Sequence, residues 1–97
     1  MKLDIKANLS APDLIRKIGY RPLPGNSAEY SAIRTAGGGD YPRFHIYMSK
    51  GKEIGEFFIN LHLDQKKPSY SGSHAHSGEY DGDLVEREAE RIKIILG

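Results

Sequence analysis

The sequence has no cysteine. That excludes disulfides, thiolate zinc ligation and a cysteine nucleophile, and it fits a reducing compartment. No apolar run reaches the length of a membrane span. The N-terminus carries no apolar signal core, so the chain reads as a soluble, cytoplasmic protein without a membrane partner. A charge excess is missing too. Fourteen Lys and Arg stand against 13 Asp and Glu, for a net charge of +1, which gives no global pull toward nucleic acid or membrane. The charge is unevenly divided, however: the basic excess lies in residues 1–50 and the acidic excess mostly after Glu79. A local basic patch is therefore compatible with the near-neutral total. At 97 residues the chain has room for one domain with one modest core, and it contains no internal repeat.

Residues 1–9 alternate weakly, with Leu3, Ile5 and Ala7 against Lys2, Asp4 and Lys6. This reads as a short edge strand or a loose arm. Ser10-Ala-Pro-Asp13 has the chemistry of a helix start: Ser10 caps, Pro12 fits the first turn and Asp13 holds the reciprocal capping position. Leu14, Ile15 and Ile18 form the apolar stripe, and Gly19 is a left-handed stop. Tyr20 to Gly25 reads as a connection. Ala28 to Arg34 is a predicted strand, with Tyr30, Ala32 and Arg34 on one side and Ser31 and Ile33 on the other. Gly37-Gly-Gly39 is followed by no Gly-Lys-Ser/Thr pattern, so it is a hairpin loop and not a phosphate loop.

Phe44 to Ser49 is a second strand with Phe44, Ile46 and Met48 inward. Tyr41, Arg43, His45, Tyr47 and Ser49 face the other way. Ile54 to Asp64 is the third strand, expected antiparallel to the second, with Gly55 marking a bulge or a late start to regular pairing. Its residues Phe57, Ile59, Leu61 and Leu63 share a core face, and Phe58, Asn60, His62 and Asp64 share the opposite one. Gln65-Lys-Lys-Pro68 ends it. The loop over 65–82 has no period of either kind, and loops this long in a compact domain are functional or disordered. Tyr70 and Tyr80 favour an ordered one. Asp83 to Leu96 then reads as an amphipathic helix with Val85, Ala89 and Ile92 inward. Asp83 and Glu86 are its expected capping pair, and its charged face is read as solvated.

Helix, three strands, long loop and helix together predict an α+β two-layer sandwich of order α-β-β-β-α. Two helices would cover one face of a three-stranded antiparallel sheet. Two resemblances attach to this reading. The runs Asp40-Tyr-Pro-Arg-Phe-His45, Asn60-Leu-His-Leu-Asp-Gln-Lys-Lys-Pro-Ser-Tyr70 and His74-Ala-His-Ser-Gly-Glu-Tyr-Asp-Gly82 resemble those of a family of small bacterial proteins with no assigned activity. That likeness carries over no functional residue. The architecture is similar to the double-stranded-RNA-binding fold and to the HicA-type mRNA interferase toxins built on it. Those toxins place a histidine after Gly-Ser on the first strand, whereas here the first predicted strand has none and His45 lies on the second. Fold alone does not settle function.

Two constellations carry chemistry. His74 and His76 are one residue apart, so on extended backbone their imidazoles point the same way. With His62 they form a candidate metal set, with Asp64, Glu79 or Asp81 as carboxylate ligand or base. Three neutral nitrogens and an open fourth position suit catalytic zinc or another divalent ion and a hydrolytic, nuclease-like reaction. His62 with Asp64 or Glu79 would alternatively be a metal-free acid–base pair. The bland reading is that these are surface histidines and helix-start acids. The second constellation is the non-core sheet face, where Arg43, His45 and Tyr47 lie beside Phe58, Asn60, Lys66 and Lys67. Aromatics interleaved with cations suit stacking on bases and contact with the phosphates of RNA or DNA. The alternative there is a homodimer interface over an exposed Phe58. No nucleophile-elbow motif surrounds any serine.

Overall fold

The computed structural model describes residues 1–24, 29–65 and 82–97, and the backbone alone of 78–79. In chain order the elements are β1 (Lys2–Lys6), α1 (Ala11–Lys17), β2 (Arg21–Leu23), β3 (Tyr30–Thr35), β4 (Arg43–Lys50), β5 (Glu56–Asp64), β6 (Gly78–Glu79) and α2 (Asp83–Leu96). The sheet is antiparallel throughout, in the order β1-β5-β4-β3-β2, with the two-residue β6 paired to the end of β5.

This corrects the three-stranded sheet expected from the sequence: two further strands flank the predicted meander. Arg21–Leu23 contains Pro22 and reads locally as a connection. Proline is tolerated because, among the described residues, β2 is a sheet edge paired only with β3, where a missing ladder donor faces no partner. Lys2–Lys6 is the opposite edge. Leu3 sits across from Ile59 and Ile5 from Phe57, so its weak alternation is enough to extend the core face by one strand. The Met1 ammonium donates to the Leu61 carbonyl at 2.8 Å.

The core lies on one face of the sheet. Phe44, Ile46, Met48, Phe57, Ile59, Leu61 and Leu63 pack in one cluster with Leu14, Ile15 and Ile18 near α1 and with Val85, Ala89 and Ile92 of α2. Ser10 caps α1, its hydroxyl accepting from the Asp13 amide at 3.3 Å. Gly19 ends the turn at φ +83°, a conformation that costs glycine nothing. The β4–β5 turn is closed by the Glu56 amide donating to the Glu53 carbonyl at 3.1 Å. Gly55 holds φ +85° in that turn, and β5 begins only at Glu56, so of the two expectations for Gly55 it is the late start to pairing that the structure has. α2 differs from its expected start. Gly82 is the N-cap with no side-chain cap bond, and Asp83 is already helical. Asp83 and Glu86 then act on the helix only as charges in its first turn.

The charged face of α2 is not wholly solvated. Glu88 is 4% exposed. It accepts from the Tyr20 hydroxyl at 2.6 Å, from Arg91 through two bonds of 2.8 Å and from Arg34 at 3.3 Å. Arg91 also donates to the Ile18 carbonyl at 2.6 Å. This network ties α2 to the end of α1 and to β3. Burial and the adjacent Glu88 carboxylate push the Tyr20 phenol far above its ordinary value. The Glu88 bond raises Arg91.

Candidate metal centre

The β4–β5 hairpin builds the site. Its register pairs Arg43 with Asp64, His45 with His62 and Tyr47 with Asn60. The intervening residues are committed to the core, so strand alternation sends this set to the face away from the helices. Paired positions on one face bring Cβ atoms to about 4.5–5.5 Å. Two imidazoles are thereby set side by side, with a carboxylate one strand step further along β5.

The side chains converge. His62 Nε2 lies 3.0 Å from Asp64 Oδ1 and His45 Nδ1 lies 3.4 Å from Asp64 Oδ2. The donor atoms of His45, His62 and Asp64 all fall within 4.8 Å of one another, so the group can hold a metal ion. Both imidazoles are buried, and Asp64 is half-buried. Arg43 Nε stands 3.4 Å from Asp64 Oδ2, and its guanidinium lies over the Tyr41 ring at 4.7 Å. The Tyr47 ring stacks on His45 with centroids 4.4 Å apart and on His62 at 5.5 Å, which walls the imidazoles on one side. On β3, Ser31 Oγ is 2.7 Å from His45 Nε2.

Burial pushes the His45 imidazole below its ordinary value of 6.5, against the pull of the Asp64 carboxylate. His45 is therefore neutral at pH 7, with one ring nitrogen carrying a proton and one free to accept. The network assigns the tautomer: Nδ1–H donates to Asp64, and Nε2 accepts from the Ser31 hydroxyl. The hydroxyl can rotate and reverse its role. If Nδ1 bound a cation, Nε2–H would donate to Ser31 Oγ, and such a bond from the far ring nitrogen orients metal-bound histidines.

Of the residues singled out in the sequence, His62 and Asp64 come together here. His45, assigned by sequence to the nucleic-acid face, is the third member. Arg43 and Tyr47 of that face are engaged by the same cluster. The Glu79 backbone pairs with Leu63, and Gly78 with Asp64, while the Glu79 side chain, Lys66, Lys67, His74, His76 and Asp81 lie outside the described residues. The signal that leads to His45 is hairpin register: His45 and His62 are equidistant from the turn around Glu53 and Ile54. Strand phase alone gives the face but not the partner. Among the described residues no helix is long and apolar enough to cross a membrane. Comparison with protein-family models, with curated proteins and with solved structures found no match in any of the three.

Proposed function

We propose that His45, His62 and Asp64 bind a divalent metal ion, zinc in the first instance, and that the site serves hydrolysis. The observation that carries this reading is the convergence of two buried nitrogens and one carboxylate within 4.8 Å. Tetrahedral zinc with bonds near 2.0–2.1 Å has ligand–ligand edges of about 3.3–3.4 Å. The His62 Nε2–Asp64 Oδ1 separation of 3.0 Å is within a few tenths of such an edge, whereas the 3.4 Å contact of His45 Nδ1 is to the other oxygen, Oδ2, so His45 reaches the same ion once its ring or the carboxylate turns slightly. Imidazole and carboxylate donors without thiolate suit zinc and its first-row neighbours. Arg43 opposes a cation electrostatically but leaves one oxygen of Asp64 free of its contact.

A three-ligand site leaves a position for water or substrate. A divalent ion held by these three residues would supply Lewis-acid chemistry, activating water near neutral pH. The chain's own residues hold the geometry. Ser31 fixes the His45 ring, Tyr47 shields one side, and Arg43 is placed to meet an anionic substrate group. Arg43 beside the cluster is what supports a nuclease-like or phosphoesterase reaction.

The test is elemental analysis and zinc titration of the untagged protein. Wild type should bind one zinc, and His45→Ala, His62→Ala and Asp64→Asn should each lose it. Ser31→Ala should weaken binding by about 10–100-fold, as losing the hydrogen-bond partner of a metal-bound histidine does. The variant His74→Ala/His76→Ala, measured beside them, reports whether those histidines supply the fourth ligand. Equal zinc content in wild type and the three ligand variants would refute the reading.

A further inference from the structure

Next to the cluster, on the same face, lies a half-open cavity of about 370 Å³. Its walls include Lys2 and Asp4 of β1, Phe58 and Asn60 of β5, Tyr47 of β4, and Glu29 just before β3. The volume falls in the range of small-molecule sites, about 300–1,000 Å³. Phe58 is 44% exposed within it. An aromatic ring held open on a sheet face beside a polar rim is a stacking platform in search of a planar partner. Tyr47 is shared: its ring packs on His45 and His62 and lines the cavity. Asn60 is the same-strand neighbour of His62, about 7 Å away along β5.

The polar groups narrow the occupant. Asn60 offers a donor and an acceptor side by side, the fork that pairs with a base edge. Asp4 and Glu29 accept hydrogen bonds and attract amino groups. Against one cation, Lys2, the two carboxylates leave the cavity lining net negative, which disfavours a phosphate there and favours its placement past Tyr47 toward Arg43 and the histidine cluster. We propose that this cavity seats the base of a nucleotide, of the kind bearing an exocyclic amino group. Its ring stacks on Phe58 and its phosphate is directed to the metal centre. The placement of the phosphate rests on the metal reading; the seating of the base does not.

The probes are adenosine, inosine and AMP, titrated into the full chain by calorimetry and by amide NMR, with zinc and with a chelator. Adenosine should bind under both conditions and shift the amides of Phe58 and Asn60. Inosine, with a carbonyl in place of the amino group, should bind several-fold more weakly. Phe58→Ala should weaken adenosine by about tenfold or more, the size of one base–aromatic stack, while retaining zinc. His62→Ala should lose zinc and keep adenosine. AMP should bind more tightly than adenosine only on the zinc-loaded protein. A short oligo(A) strand binding more tightly than AMP would identify the source of the nucleotide as a nucleic-acid strand, and equal binding would identify it as free nucleotide. The proposal is overturned if adenosine does not bind, if Phe58→Ala binds it as well as wild type, or if a cationic amine such as spermine occupies the cavity in its place. Wild-type protein that binds adenosine but no zinc would count against the metal centre and leave the base site standing.

Discussion

Because burial depresses His45, the unfolded chain takes up a proton before the folded one as pH falls. The stabilising contribution is therefore complete above about 6.5, the unfolded value, and is lost progressively below it. One such proton steepens the loss by at most about 1.4 kcal/mol per pH unit. Urea midpoints of wild type and His45→Gln should run parallel between pH 7 and 8 and converge below pH 6.5; curves parallel down to pH 5 would show that His45 titrates alike in both states. Zinc affinity should fall at lower pH, once the folded protein's own His45, depressed below 6.5, takes up its proton, since imidazole binds only when neutral. Glu88 is the other residue on which much depends. Removing it by Glu88→Ala leaves Arg34, Arg91 and the Tyr20 hydroxyl without their shared acceptor. The two arginines are each about a third exposed and regain water, so the cost should be about 1–3 kcal/mol, measurable by urea unfolding, and a cost below about 0.5 kcal/mol would show the network to be solvent-compensated.

At the scale of elements, Leu61→Ala should destabilise by about 2–5 kcal/mol. Leu61 is wholly buried at the centre of β5, and a negligible loss in thermal unfolding would contradict its place in the core. Ser10→Ala should cost about 1 kcal/mol through the lost α1 cap. These elements were legible from local chemistry. Ser10 and Gly19 mark α1, the period of Val85, Ala89 and Ile92 marks α2, and alternation marks β4 and β5 with their buried and outward faces in the right phase. What was not legible depends on partners distant in sequence. Pro22 argues against a strand until β3 is seen to need an edge. Lys2–Lys6 is too short to decide alone and becomes a strand only against β5. Glu88 reads as one charge among many on a helix surface, because nothing near it in sequence announces Tyr20 or Arg34. His45 joins the site only once the hairpin register sets it opposite His62.

At the scale of the molecule, the sheet joins a local meander to two edges of different origin. β3, β4 and β5 follow one another through short connections, whereas β1 must find β5 from the far end of the chain, pairing Lys2 with Asn60. Loop closure makes the second kind of contact late. Ile46→Val, in the meander, should therefore slow folding, and Leu3→Ala, on β1, should mainly speed unfolding. Stopped-flow chevrons of the two variants separate the cases, and a Leu3→Ala variant that slows folding as much as it destabilises would place β1 in the nucleus. This order gives the proposed site a history. His45, His62 and Asp64 all ride on the hairpin, while Lys2 and Asp4 complete the neighbouring cavity from β1. In a refolding time course, zinc should be captured first and adenosine only after the last strand has docked, so that the two halves of one site would have different birthdays.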